Sequence, residues 1–362
     1  MHRFSTVFCV AVAGSITSAQ PDLVHDWVVV GDPGNRDTTI EETEGPFHSG
    51  FEAGGVDYAY RILETELTVE QQFEFVVAYY PLYADRVSTF GRFEFTGFDI
   101  TVIPGIIRIT PGHDPHRPGT MSWEYFARYC NWLHHGMVNE PWAYDDGAYD
   151  TSTFYEDPPG VYHHQLVRSL EARYWIPSLD EWLKAAHWDQ SLNGGEGGYW
   201  QYPAQTNEPL PAGLPEDGGQ RNAGRNDDGF PLAVKSYPDV QSYYGLYDTS
   251  GGRSETLEDF AGFGDRRSEG SSYYNIIPDP VYPIDSLGIR GIVSMMRADG
   301  VRPAGEHFRA SDLDEDGRVN FFDVSLFIRM YLSEDERVDF RNDGVLNTDD
   351  VRVFIGLYEN QL

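Results

Sequence analysis

Cysteine is nearly absent: the 362 residues contain 2, Cys9 and Cys130, and none follows Cys130. Cys9 lies in an N-terminal segment expected to be removed, so a mature monomer can form no internal disulfide, and stability must come from packing and bound ions. Cationic residues are scarce too, 26 Lys and Arg against 58 Asp and Glu, giving a net charge of −32. Such a chain repels phosphate backbones and anionic lipid surfaces, which argues against nucleic acid as a partner. Long apolar runs are missing beyond the N-terminus, so no membrane span is expected after signal cleavage. Catalytic signatures are missing as well. No G-x-S-x-G elbow supports a serine hydrolase, and the loop GDPGNRDTT after Val30 lacks the lysine of a phosphate-binding loop. The histidine groups His113 with His116, His134 with His135, and His163 with His164 do not form H-x-x-x-H on a helix, and read as solvent-facing loop residues.

What is present begins with an export signal. His2 and Arg3 precede an apolar run from Phe4 to Ile16, and Thr17, Ser18 and Ala19 end it with the small residues a signal peptidase accepts. Residues 1–19 therefore read as a signal peptide, and the mature chain is expected to be secreted or exported: extracellular, periplasmic or at the cell surface. Hydrophobic residues at 40% and aromatics at 14% allow a sizeable core, while 37 Gly and 22 Pro favour turns and irregular loops over long regular elements.

Trp27 to Val30 reads as a strand, and so does the first half of VDYAYRILETELTVEQQFEFVVAYY. In its second half Thr68 with Gln71 forms a capping-box pattern that starts a helix near Val69, with Phe73, Val76, Val77 and Tyr80 turned inward. Ser122 is placed to cap a helix from Trp123 to His134, where Phe126, Cys130 and Leu133 share a face and Cys130 packs as a small hydrophobe. Ser178 with Glu181 makes a second capping box before a helix from Leu179 to Trp188. After Ala212 the chain is rich in Gly, Asp and Asn as far as Asp248, which suits oxygens wrapped around ions. Leu287 to Val293 reads as the closing core strand of a domain spanning residues 20–297. Residues 298–309, with Gly300, Pro303 and Gly305, read as a linker to a second module at 310–362.

That module repeats one unit: DLDEDGRVNFFD from Asp312 and DFRNDGVLNTDD from Asp339, each followed by an apolar helical run. The first loop offers oxygens from Asp312, Asp314, Asp316, Asn320 and Asp323 and the Arg318 carbonyl, with Gly317 at the sharp turn. Alternate residues of a curled loop aim inward, and calcium, a hard cation, takes six to eight oxygens. The second loop offers Asp339, Asp343, the Val345 carbonyl, Asn347 and Asp350, but Arg341 puts a cation where a ligand belongs, so a weak or empty site is the expectation there. The pair resembles a type I dockerin, in which Asp stands at the last loop position. The resemblance implies an all-α attachment module that docks to a cohesin-like receptor, often in polysaccharide-degrading assemblies.

In the larger part the tract YYGLYDTSGGRSE, Tyr243 to Glu255, resembles the signature loop of the formylglycine-generating, or sulfatase-modifying factor, family. Other blocks agree in order: VDYAYRILETELTVEQQFEF, PGTMSWEYFARYCNWLHHG, YWIPSLDEWLKAAHWD and, as the closing strand, LGIRGIV. The resemblance implies an α+β, loop-rich, C-type-lectin-like fold with two structural calcium sites. One would be Asn222 and Asp228 with the carbonyls of Ala223 and Phe230. The other would be Asp248 and Glu255 with the carbonyls of Gly251 and Arg253. Oxidases of this family hold copper between two cysteines placed shortly after the signature loop. Here that stretch is DRRSEGSSYYNII, which has Glu269, Ser271 and Ser272 and no thiol, and Ser254 replaces the signature tryptophan. Cu(I) is a soft ion that such oxygens do not hold.

The expectation is therefore a calcium-binding scaffold or binding domain with an unknown peptide, glycan or protein ligand, tethered by its tail. The alternative is a formylglycine-type oxidoreductase acting on sulfatase cysteine with relocated metal chemistry.

Overall fold

The chain is an α+β protein whose computed structural model divides into two compact units, residues 1–305 and 306–362. The structure describes residues 10–11, 25–45, 48–84, 96–157, 161–222, 232–262, 265–272, 287, 291–294, 299–306, 313, 321–333, 335, 338 and 345–359.

In chain order the larger unit contains β1 (Trp27–Val30), β2 (Tyr60–Leu63), α1 (Val69–Tyr83), β3 (Ile100–Ile103), β4 (Ile106–Ile109), β5 (Thr120–Met121) and α2 (Trp123–His134). It continues with β6 (Tyr174–Trp175), α3 (Leu179–His187), β7 (Glu255–Gly262), β8 (Asp265–Glu269), β9 (Gly291–Ser294) and β10 (Asp299–Gly300). The last strand, β11 (Ala304–Glu306), runs one residue past the division between the units. One sheet has the order β6-β11-β2-β1 and another β9-β8-β7-β10-β5. Strands β3 and β4 form a hairpin, beside which Val10–Ala11 pairs with Ile106 and Ile107. That pairing falls within the segment read as a signal peptide, and cleavage after Ala19 would leave the hairpin two-stranded.

Both capping boxes form. Thr68 Oγ1 accepts from Gln71 N at 3.2 Å and Gln71 Oε1 from Thr68 N at 2.9 Å, while Ser178 Oγ accepts from Glu181 N at 3.2 Å and Glu181 Oε2 from Ser178 N at 2.7 Å. Each box satisfies two backbone donors that the first helical turn cannot bond internally. Ser122 stands at the N-cap of α2 without a side-chain cap bond. The inward stripe of α1 differs from the expectation: Gln72, Phe75, Val76, Tyr79 and Tyr83 are buried, and Phe73, Val77 and Tyr80 are only partly so. A glutamine belongs to the buried stripe because its amide ties α1 to β5, with Oε1 accepting from Thr120 N at 3.0 Å and Nε2 donating to Thr120 O. Tyr79 and Tyr83 stack at 4.5 Å, and Trp123, Tyr129 and Trp132 of α2 fill the same core. Cys130 is fully buried there, and burial raises its thiol pKa well above the ordinary value.

The linker expectation is corrected for residues 299–306. β10 lies parallel to β7 with Gly300 opposite Glu255, and β11 pairs with β6 in the other sheet. This segment, rather than Leu287 to Val293, closes the larger unit. Its Val301, Arg302 and Ala304 are wholly buried, and Gly and Pro there reflect tight packing: a Cβ on Gly300 would meet Arg253 Cβ at 2.6 Å. Within the earlier stretch, Gly291–Ser294 is the edge strand β9 against β8.

In the smaller unit α4 (Phe321–Leu332) and α5 (Thr348–Glu359) pack through Phe327, Met330, Val338 and Phe354. The Phe327 and Phe354 rings, equivalent residues of the two repeats, stack 4.1 Å apart and 2° from parallel.

Candidate metal centre

Loop 248–255 is the hub of the larger unit. Three consecutive backbone N–H groups donate to side chains brought from elsewhere: Gly251 to Ser271 Oγ at 2.7 Å, Gly252 to Asn222 Oδ1 at 2.7 Å, and Arg253 to Glu66 Oε1 at 2.7 Å. Asp248, at φ +60°, accepts from Lys235 N through Oδ2 at 2.8 Å. The glycines are required. At φ +109° a Cβ on Gly251 would lie 2.3 Å from Asn222 Oδ1, and at φ +61° one on Gly252 would lie 2.2 Å from Glu66 Oε2.

At the end of the loop Glu255 is buried and committed to other partners. Its Oε1 accepts from Arg302 Nη2 at 2.7 Å, and its Oε2 accepts from Arg302 Nε and Trp182 Nε1, each at 2.8 Å. Arg302 is saturated as well, with Nη1 donating to Leu63 O and Glu64 O and Nη2 also to Tyr247 O. All five guanidinium N–H groups thus have acceptors.

The structure therefore brings Asn222, Asp248, Gly251, Arg253 and Glu255 together around one loop, although the sequence divided them between two sites. Ala223, Asp228 and Phe230 lie outside the described residues. Glu255, expected as a calcium carboxylate, is the partner of an arginine, whose charge opposes a cation next to it. The carboxylate that sequence reading missed is Glu66, wholly buried in the turn after β2. Among the described residues its Oε2 is buried with no hydrogen-bond partner. Burial, followed by the nearby Glu255 and Asp248 charges, drives its carboxyl pKa well above the ordinary range. Burial likewise raises Asp248 to about 6. Glu66, Asn222, Asp248, Ser250, Gly252 and Tyr237, with Pro118, Leu232, Ala233 and Val234, line a cavity of about 10 Å³. Among the described residues no group of three or more His, Cys, Asp or Glu is gathered as a metal cluster.

Where the resemblance places copper thiols, Glu269, Ser271 and Ser272 are buried at the end of β8, and Ser254 Oγ donates to Asp299 Oδ2 at 2.9 Å. The rest of that stretch, from Tyr273, lies outside the described residues. Nearby, Arg168 bridges Glu181 at 2.9 Å and Glu258 at 3.1 Å, and Tyr149 donates to Glu258 at 2.8 Å. Burial raises the Glu258 carboxyl to about 7.

The histidines have local roles. His113 meets Asp99 at 2.9 Å, His134 Nδ1 accepts from Arg173 N at 3.1 Å, and His164 meets Glu124 at 3.2 Å. His163 stacks on Tyr155 and His116 is exposed. Burial lowers His134 to about 4.

In the smaller unit Asp312, Asp314, Asp316, Arg318, Asn320, Asp339 and Asp343 lie outside the described residues. Asp323 and Asp350 are wholly buried at matching positions in the first turns of α4 and α5. Asp323 Oδ1 accepts from Leu313 N at 2.7 Å, and Asp350 Oδ2 from Asn347 N at 2.8 Å. The Val345 carbonyl accepts from Asn347 Nδ2 at 2.9 Å.

No family model and no curated protein matches the sequence. Among solved structures the chain is similar to Treponema denticola variable protein 1, with 16% identity, a TM-score of 0.47, and coverage of 77% of this chain and 94% of that one. It is also similar to CarF, at 18% identity and a TM-score of 0.46 over 78% and 99% of the two chains. A third is PvdO from Pseudomonas aeruginosa, at 15% identity and a TM-score of 0.42 over 84% and 100%.

Proposed function

We propose that this chain is an exported, calcium-stabilised binding or scaffold protein: a C-type-lectin-like domain of the sulfatase-modifying factor type, without copper chemistry, attached through a dockerin-like tail to a cohesin-like receptor in an extracellular assembly. The observation that carries the reading is the exchange of sulfur for oxygen after the signature loop. No cysteine follows Cys130, and Ser271, in the stretch where thiols are expected, has its hydroxyl engaged as an acceptor for Gly251 N–H. A hydroxyl and a carboxylate do not replace two thiolates for Cu(I).

The calcium part rests on oxygen donors that the loop collects, Asp248 and Asn222 among them, and on the DLDEDGRVNFFD pattern of the tail. The tail reading also draws on the paired helices, each carrying a buried aspartate in its first turn.

Elemental analysis of purified full-length protein, together with oxygen uptake in the presence of a sulfatase-derived cysteine peptide, decides between the two functions. Calcium without copper or iron, and no turnover, is the expected result. Stoichiometric copper or iron with conversion of the peptide cysteine would establish the oxidoreductase instead. Capture of a cohesin domain by the full chain, lost when Asp314 and Asp316 are replaced by Ala, tests the tail.

A further inference from the structure

We propose that the outer edge of β4 is a docking site in the mature chain, where an extended, uncharged, apolar segment of another protein adds as a third strand antiparallel to Ile106–Ile109. The inference rests on the export reading above and gives the exported larger unit an interaction surface.

The edge is already in use in the full-length chain. Val10 lies opposite Ile107 and Ala11 opposite Ile106, antiparallel, on the side of β4 away from β3. Both residues belong to the apolar run of the signal peptide, so the strand that covers the edge leaves with the signal. Ile103 and Ile106 are the pair that closes the two-residue turn at Pro104 and Gly105. That register turns the N–H and C=O groups of Ile107 and Ile109 away from β3. Once Val10–Ala11 is gone, no other described strand pairs with them.

The sequence leaves this edge undefended. Sheet edges are normally guarded by charge, proline or a bulge, because unpaired backbone groups beside apolar side chains recruit foreign strands. In a chain of net charge −32, the stretch from Ile100 to Thr110 contains no acidic residue and a single basic one, Arg108. Its proline is confined to the turn, and the pairing of β3 with β4 runs without a bulge. Ile103 and Ile106 are 43% and 37% exposed even with Val10–Ala11 in place. Behind them Ile100 and Ile107 are buried in the main core. The edge is therefore held ready, and the ordering cost of docking falls on the incoming segment alone.

The same features select the occupant. What the edge takes in the full-length chain is a Val-Ala pair, held through backbone bonding with small apolar side chains beside it. A second copy of the chain is a poor candidate, because two bodies of charge −32 repel each other.

The test compares the mature chain, residues 20–362, with the full-length precursor. The probe is a fluorescent synthetic peptide of residues 6–15, TVFCVAVAGS with Cys9→Ser, read by fluorescence polarisation. The mature chain should capture it. The precursor, whose own strand holds the edge at high effective concentration, should bind it about a hundredfold more weakly. The same peptide N-methylated at Val10 keeps the side chains but loses the amide that faces Ile107, and it should not bind. Amide exchange at Ile107 and Ile109 should slow only with the unmodified peptide. Ile106→Lys in the mature chain should weaken capture about fivefold. Leu170→Lys, the same change in charge at an exposed leucine of another segment, should leave it unchanged.

Equal binding of the N-methylated peptide, or equal losses for the two lysine variants, would reduce the edge to a sticky apolar patch and overturn the proposal. A mature chain that dimerises until Ile106→Lys separates it would give the edge to a second copy and overturn the assignment to a foreign segment. Amino-terminal sequencing of the secreted protein separates this inference from the reading beneath it. A chain that begins at Gln20 and captures no peptide ends the inference alone, whereas one still carrying residues 1–19 removes the export reading as well.

Discussion

Arg302 ties three backbone carbonyls to one buried carboxylate. It joins the carbonyls of Leu63, Glu64 and Tyr247 to the Glu255 carboxylate while fully buried. Removing one partner of such a pair strands the other charge, so Arg302→Ala is expected to cost about 3–5 kcal/mol in urea unfolding. Arg302→Lys should recover little, because an ammonium group has three donors and no planar fork to match the five acceptor contacts. Near-complete rescue by lysine would show that the charge alone matters. A second residue-scale prediction concerns pH. Burial raises the Glu258 carboxyl from 4.5 to about 7, so the folded chain holds a proton that the unfolded chain has released. The stability this confers is full below the unfolded value and declines as pH rises through about 7. Relative to Glu258→Gln, the wild type should lose about 3 kcal/mol between pH 4.5 and 8, read from denaturant midpoints at each pH. Parallel pH profiles for the two proteins would contradict it.

At the scale of elements, what was legible was local. Thr68 with Gln71 and Ser178 with Glu181 lie three residues apart, so the sequence contains the whole capping box. Thr68→Ala and Ser178→Ala should each cost about 1 kcal/mol, and Ser122→Ala distinctly less, because Ser122 makes no side-chain cap bond. Equal losses at all three positions in thermal melts would mean that the hydroxyls act through something other than capping. The stripe of α1 was misread for a different reason. Apolar residues surround that helix, and the choice of face depends on Gln72 reaching Thr120, a partner 48 residues away. Distance in sequence also separates the side chains that meet at loop 248–255. Asp248, Gly251 and Arg253 were visible because they share a loop, but Glu66 meets Arg253 across 187 residues and no spacing rule connects them. The resemblance gave Glu255 as a calcium carboxylate, and nothing in its sequence neighbourhood announces Arg302, 47 residues further on.

For the molecule as a whole, the segment read as a linker is what joins the two main sheets. From Asp299 to Glu306 the chain pairs first with β7 and β5 and then with β6, and the crossing between these strands carries Val301 and Arg302 into the core. Gly300, Pro303 and Gly305 look like linker composition, yet Gly305 leaves no room for a Cβ, which would lie 2.9 Å from Tyr174 Cδ1. Low side-chain content can mark a flexible tether or a place where backbones meet, and composition does not distinguish them. The boundary near residue 306 can be tested by truncation. A chain ending at residue 297 loses a central strand of each sheet and leaves Glu255 buried beside Trp182 without its guanidinium. It should fail to give a cooperative melt. A chain ending at residue 309 keeps both strands and should unfold cooperatively, with resistance to limited proteolysis over the larger unit. Cooperative folding of the shorter chain would return residues 299–306 to the role of a connector and take the crossing segment out of the core.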